Sequence, residues 1–131
     1  MLIDTSGFFS IHDRAEKQHH RAQELYQNSQ SRLTTSYILA EYVALALVRG
    51  LARKRVVAFS EEVLHDESVE IVWVNEDLHR NGLDLLRQRP DKTYSLCDAV
   101  SFVLMRERGE TEALTTDRHF EQEGLVRLLV P

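Results

Sequence analysis

At 131 residues, 43% apolar and with a net charge of −5, the chain has the size and composition of one domain built on one core. An acidic balance argues against tight non-specific binding of nucleic acid, which runs on phosphate neutralisation by a basic surface, but leaves room for a local basic patch. The single cysteine, Cys97, excludes an intrachain disulfide. No apolar run has membrane-spanning length, and Met1-Leu2-Ile3-Asp4 carries no basic leader. The expectation is one domain over residues 1–131, in the cytoplasm, with no membrane partner.

Met1 to Ile3 reads as a short buried strand that stops at Asp4, with Thr5-Ser6-Gly7 as the turn after it. Residues 14 to 29 carry an apolar stripe of Ala15, His19, Ala22, Leu25 and Tyr26 on an otherwise polar helix, so this helix lies at the surface. Leu33-Thr34-Thr35 is a second strand. Ser36 is then placed to cap a helix from Tyr37 to Arg49, closed by Gly50. That helix is apolar on most sides, and Glu41 is the one charge between Arg32 and Arg49. Arg49, Arg53, Lys54 and Arg55 form a basic run, read as a solvated face or as a phosphate-contacting patch.

A helix over 54–65 follows, then a strand Ile71-Val72-Trp73-Val74 rich in β-branched and aromatic residues. Asn75 caps a helix from about Glu76 to Arg89. A loop leads to Tyr94–Met105, a helix apolar nearly all round that ends at Gly109. Ala113 to Thr116 is the next strand, ending at Asp117. A helical turn from Arg118 to Glu123 is stopped by Gly124, and Leu125 to Val130 is a last strand. Strands alternating with helices predict an α/β fold: a central, mainly parallel sheet flanked by helices on both faces.

Four carboxylates stand out. Asp4 and Asp117 follow apolar strands directly, where ligand sites of parallel sheets gather. Glu41 and Asp98 are isolated in apolar helices. Each has a plain structural reading: Ser95 is a good N-cap, which makes Asp98 a capping-box carboxylate, and Glu41 can reach solvent at an edge. Against these stands the cost of taking an ionised carboxylate out of water without a partner or a metal. All four can meet in one crevice, where they would repel one another unless a divalent cation joined them. Oxygen ligands without clustered His or Cys point to Mg²⁺ or Mn²⁺, and such a site suits phosphoryl transfer with water as nucleophile. Ser6 and Thr115 sit where their hydroxyls can orient the strand-end aspartates. His119 reads as a surface histidine or as a group meeting the scissile phosphate. A Walker A loop, a G-x-G-x-x-G fingerprint and an H-E-x-x-H pair are all absent from the sequence.

The pieces Leu2-Ile3-Asp4-Thr5-Ser6, Ala40-Glu41-Tyr42, Ser95-Leu96-Cys97-Asp98-Ala99 and Leu114-Thr115-Thr116-Asp117-Arg118-His119-Phe120, in this order and at these separations, resemble a PIN-domain ribonuclease, specifically a VapC-type toxin of a type II toxin–antitoxin pair. The resemblance spans essentially the whole chain. It implies a PIN-like fold, an acidic site of Asp4, Glu41, Asp98 and Asp117 that binds Mg²⁺ or Mn²⁺, and supporting roles for Ser6, Ser95 and Thr115. It further implies single-strand-selective cleavage of RNA, a homodimer, and a cognate antitoxin protein; in-line attack by water at the acid site would leave 5′-phosphate and 3′-hydroxyl ends. Some relatives carry another acid where this chain has His119, so a complete second metal site is not implied. The competing readings are a housekeeping RNA-processing nuclease, a catalytically silent binding module, and a receiver-like phosphoacceptor, which wants a lysine after a late strand that Asp117-Arg118-His119 does not offer.

Overall fold

Leu2 and Ile3 have no exposed surface, and they form the middle strand of the molecule. The computed structural model describes all residues from Met1 to Pro131. Strands β1 (Leu2–Ile3), β2 (Arg32–Thr35), β3 (Val69–Val72), β4 (Glu112–Leu114) and β5 (Val126–Arg127) make one sheet in the order β3-β2-β1-β4-β5, parallel throughout. The register sets Leu2 beside Leu33 on one side and beside Ala113 on the other. The chain winds outward from β1 to β3, then crosses back over to β4 and β5. Right-handed crossovers in these two directions put helices on opposite faces of the sheet. The reversal between β1 and β4 opens a crevice beyond their carboxyl ends.

Seven helices cover the sheet: α1 (Thr5–His12), α2 (His19–Asn28), α3 (Ser36–Val48), α4 (Arg53–His65), α5 (Glu76–Gln88), α6 (Leu96–Arg108) and α7 (His119–Gln122). Helix α6 buries eight of its thirteen residues, as its apolar sequence predicts. Phe102 of α6 meets Phe120 of α7 edge to face, with centroids 4.9 Å apart. Gly82 lets α5 close on α6, since a Cβ there would stand 2.7 Å from Val100 Cγ2. Glu123, just beyond α7, takes Arg89, Arg106 and the Tyr94 hydroxyl on a nearly buried carboxylate, fastening α7 to α5 and α6.

Several expectations need correction. The segment after Asp4 is a helix, α1, where a turn is predicted. Its Phe8 and Phe9 are buried, and Gly7 serves contact: a Cβ would lie 2.1 Å from the Leu114 carbonyl oxygen. The helix predicted over 14–29 begins only at His19. Thr35, not Ser36, caps α3, its side chain accepting from the Ile38 N–H at 3.1 Å, while Ser36 Oγ instead accepts from the Val74 N–H. Helix α3 is less enclosed than its apolar sequence predicts: it buries Ile38, Tyr42 and Ala46, while Val48 is 84% exposed. Strand β3 ends at Val72 and β5 at Arg127, so Trp73-Val74 and Leu128 to Val130 lie outside the sheet.

Candidate active site

Asp4 occupies the N-cap position of α1 but makes no cap hydrogen bond with its side chain. The carboxylate turns into the crevice instead. Its Oδ2 accepts from Thr115 Oγ1 at 2.9 Å, and its Oδ1 is buried without any hydrogen-bond partner. Thr115 has one hydroxyl proton and spends it on Asp4. Ser6 Oγ, 3.0 Å away, must therefore be the donor to Thr115, and it accepts in turn from the Thr116 N–H at 2.9 Å. The Asp117 N–H also donates to Thr115 Oγ1, at 3.0 Å. One hydroxyl pair thus ties the end of β1 to the loop after β4 and fixes the rotamer of Asp4.

Asp98 makes the capping box and also lines the acid crevice. Ser95 Oγ accepts from the Asp98 N–H at 3.0 Å, and the Asp98 Oδ2 accepts from the Ser95 N–H at 2.9 Å, a complete capping box. The box uses one carboxylate oxygen, and Oδ1 is left without a protein partner. Glu41 does not run to open solvent. It is half-buried on the inner side of α3, and its Oε1 accepts from Thr5 Oγ1 at 2.6 Å. Asp117 lies in the loop between β4 and α7, its Oδ1 accepting from the His119 N–H at 2.9 Å.

Asp4, Glu41, Asp98 and Asp117 all line one pocket of about 130 Å³, together with Thr5, Ser6, Phe9, Leu45 and Arg49. Asp98 and Asp117 bring ligand atoms within 4.8 Å of one another and of His119, which is not itself on the pocket wall, whereas Asp4 and Glu41 lie outside that tighter group. Burial pushes the carboxyl of Asp4 up to about 7, and the charges of Asp98 and Glu41 push it further, against the pull of the Thr115 hydroxyl. Burial also raises Asp98, against the pull of its cap bonds and with the charge of Asp117 adding to the rise. Cys97 beside them is a buried thiol, raised first by burial and then by the charge of Glu41, so it is inert.

Three side chains were not legible as parts of this site, or were read otherwise. Thr5 holds Glu41; its position between Asp4 and Ser6 was the available signal. His119 is not a free surface histidine. Its Nδ1 stands 3.2 Å from Asp117 and 3.5 Å from Asp98. Thr93, from the loop before α6, meets His119 Nε2 at 2.8 Å and orients the ring; nothing in its sequence context marks it.

The buried, partnerless Oδ1 of Asp4 and the unpartnered Oδ1 of Asp98 fit a divalent cation, as does a donor set that is carboxylate oxygen with one imidazole nitrogen at its edge.

A crevice of carboxylates at the switch point of a parallel β3-β2-β1-β4-β5 sheet is the arrangement of a PIN domain. The PIN domain family model matches residues 1–124, and the chain belongs to that family. It is 26% identical, over 129 residues, to the 23S rRNA-specific endonuclease VapC20 of Mycobacterium tuberculosis, covering 98% of this chain and 97% of that one; the match is the same for strains CDC 1551 / Oshkosh and ATCC 25618 / H37Rv. The crystal structure of M. tuberculosis VapC20, a sarcin-ricin loop cleaving toxin, superposes with a TM-score of 0.86 at 25% identity, covering 95% of both chains.

Proposed function

We propose that the chain is a metal-dependent endoribonuclease, the toxin of a toxin–antitoxin pair, acting in the cytoplasm through Asp4, Glu41, Asp98 and Asp117. The observation that carries this reading is the gathering of four carboxylates, from residues as far apart as Asp4 and Asp117, around one pocket in which a buried Asp4 oxygen has no protein donor. The likeness to an rRNA endonuclease over nearly the whole of both chains supports RNA as the substrate.

Asp4, Asp98, Asp117 and Glu41 would hold Mg²⁺ or Mn²⁺. Once bound, the ion offsets their mutual repulsion, acidifies water and draws charge from a phosphodiester. The chain's own part is preorganisation. Thr115 and Ser6 fix Asp4, the capping box fixes Asp98, and Thr5 fixes Glu41, so none of them reorganises as charge develops. Water attacks phosphorus in line, its oxygen bonding to phosphorus as the bond to the 3′-oxygen breaks. A pocket carboxylate accepts the proton of the attacking water, and the departing 3′-oxygen takes one from solvent. The ends are a 5′-phosphate and a 3′-hydroxyl.

The receiver-like reading finds no support here, because the pocket is lined by one cation, an arginine, and no lysine. The same proposal includes a homodimer and a protein antitoxin. Apolar side chains left open on α3 and α4, among them Val48, Val57 and Leu64, support protein partners. The test is cleavage of single-stranded RNA by wild type and Asp98→Asn, each with Mg²⁺ and with EDTA. Cleavage confined to wild type with Mg²⁺ is expected. Equal cleavage in all four reactions rejects metal catalysis by this site.

A further inference from the structure

Arg49 is the one basic side chain on the wall of the acid pocket, yet it pairs with none of the four acids there. Its guanidinium lies over the ring of Phe9, 4.0 Å from the centroid, which fixes its plane. Its recorded bond is a single one, Nη1 to Glu16 Oε1 at 3.2 Å, so most of its five donors are unspent. That ion pair is half-exposed on both sides, 51% for Arg49 and 36% for Glu16. Such a pair is weak, and a partner with better geometry displaces it readily. A phosphate diester offers that geometry to a guanidinium fork already held in place.

The surroundings of Arg49 point the same way. Most basic side chains of this acidic protein are tied to carboxylates, from Arg21 and Arg80 to Arg108 and Arg127. The exposed ones with no carboxylate partner are Arg14, Lys17, Arg53, Lys54, Arg55 and Arg118. Arg14 and Lys17 flank Glu16 on the loop between α1 and α2. Arg53, Lys54 and Arg55 open α4, a short turn beyond Arg49. Arg118 follows Asp117. Every one of them is within six residues of Arg49, of its partner Glu16 or of Asp117. The Arg49–Glu16 pair bridges the first two of these segments, and the charge of Arg55 reaches His12 at the end of α1.

We propose that Arg49 binds a backbone phosphate of single-stranded RNA next to the scissile one, exchanging Glu16 for it, and that Arg53, Lys54 and Arg55 carry the strand away from the pocket. This rests on the ribonuclease reading and adds to it a polarity: the chain leaves the pocket past the α3–α4 turn. Glu16 is a positioning residue. It holds the guanidinium off the acids while the site is empty and competes with the substrate for it.

The alternative role for Arg49 is complementing the carboxyl end of α3, which it caps. Stability and RNA affinity separate the two. Wild type, Arg49→Ala, Arg49→Lys, Glu16→Gln and, as a distant control, Arg80→Ala are measured for cleavage of a single-stranded RNA. Binding of the same RNA is measured across a salt series in the cleavage-deficient Asp98→Asn background. Arg49→Ala is expected to raise KM about tenfold with kcat within about twofold, the loss of one charge-assisted contact. It should also flatten the salt dependence by about 0.7, the value for one phosphate of a single strand. Arg49→Lys should recover part of the affinity, Glu16→Gln should lower KM, and Arg80→Ala should match wild type. The assignment is overturned if wild type cleaves RNA while Arg49→Ala keeps its KM and salt slope, or loses only thermal stability. If wild type cleaves nothing but binding still shows the Arg49-dependent slope, the nuclease reading fails and the track stands.

Discussion

Replacing Asp4 with asparagine should stabilise the metal-free protein while removing its function. Between pH 3.8 and about 7 the folded protein keeps a proton on Asp4 that the unfolded chain has released, so stability falls as pH rises through that window. The gap from 3.8 to about 7 is worth about 4 kcal/mol at ~1.36 kcal/mol per pH unit, all of it charged against the folded state above pH 7. An asparagine keeps an oxygen for Thr115 but sets an amide NH₂ where Asp4 Oδ1 has no partner, at a cost of about 1–3 kcal/mol. The net expectation for Asp4→Asn in EDTA at pH 8.5 is therefore a gain of about 2 kcal/mol over wild type. The assay is urea unfolding of both proteins from pH 5 to 8.5, with EDTA and with Mn²⁺. Wild type in EDTA should weaken as pH rises, and the variant, in which only Asp98 remains raised, should weaken less. Mn²⁺ should stabilise wild type alone, since a ligand bound only by the folded state raises its stability. An Asp4→Asn protein less stable than wild type at pH 8.5 in EDTA, or a flat wild-type profile, would refute the reasoning.

Other expectations follow from the same contacts. Because the cation must displace the proton of Asp4, kcat/KM at subsaturating Mn²⁺ should climb from pH 5.5 and level off above about 7; a profile flat across that range counts against Asp4 as a ligand. Thr115→Val removes the donor to Asp4 Oδ2 and the acceptor for the Asp117 N–H; titration calorimetry should show metal affinity lower by about 10–100-fold, the usual cost of losing a ligand's supporting bond. Gly7→Ala drives a Cβ to 2.1 Å from the Leu114 carbonyl, so α1 must shift away from β4 at a cost of about 3 kcal/mol, read as a lower Tm. Glu123→Gln weakens the bonds to Arg89 and Arg106; since these partners hold Glu123 below its ordinary value against the effect of burial, the loss in stability should be full at neutral pH and shrink as pH falls below about 4.5.

How much of this could be read from the sequence depended on whether the signal was local. The order of strands and helices followed from hydrophobic runs and from capping residues that act within one turn: Asn75 caps α5, Ser95 and Asp98 form the box at α6, and Gly109 closes it in the left-handed region at φ 64°. Glu41 and Asp98 were visible because each is isolated in an apolar helix, Asp4 and Asp117 because each directly follows an apolar strand. Helix α1 was not visible, because Gly7 looks like a turn residue until Leu114, distant in sequence, is seen pressing on it. The cap of α3 moved by one residue because Ser36 finds a partner in Val74 across the fold. Thr93 and His119 meet only through tertiary contact. Arg49 was read within its own helix, as the first member of a basic run, and its place beside Phe9 and Glu16 came from α1 and the loop after it.

The most direct measurement is a crystal soaked in Mn²⁺ with anomalous diffraction recorded at the manganese edge. A peak between the carboxylates of Asp4 and Asp98, within about 2.0–2.4 Å of an oxygen of each and joined to Asp117 or Glu41 directly or through water, is the expected result. Manganese absent from that pocket at millimolar concentration and pH 8, with the acids still facing it, would contradict the assignment.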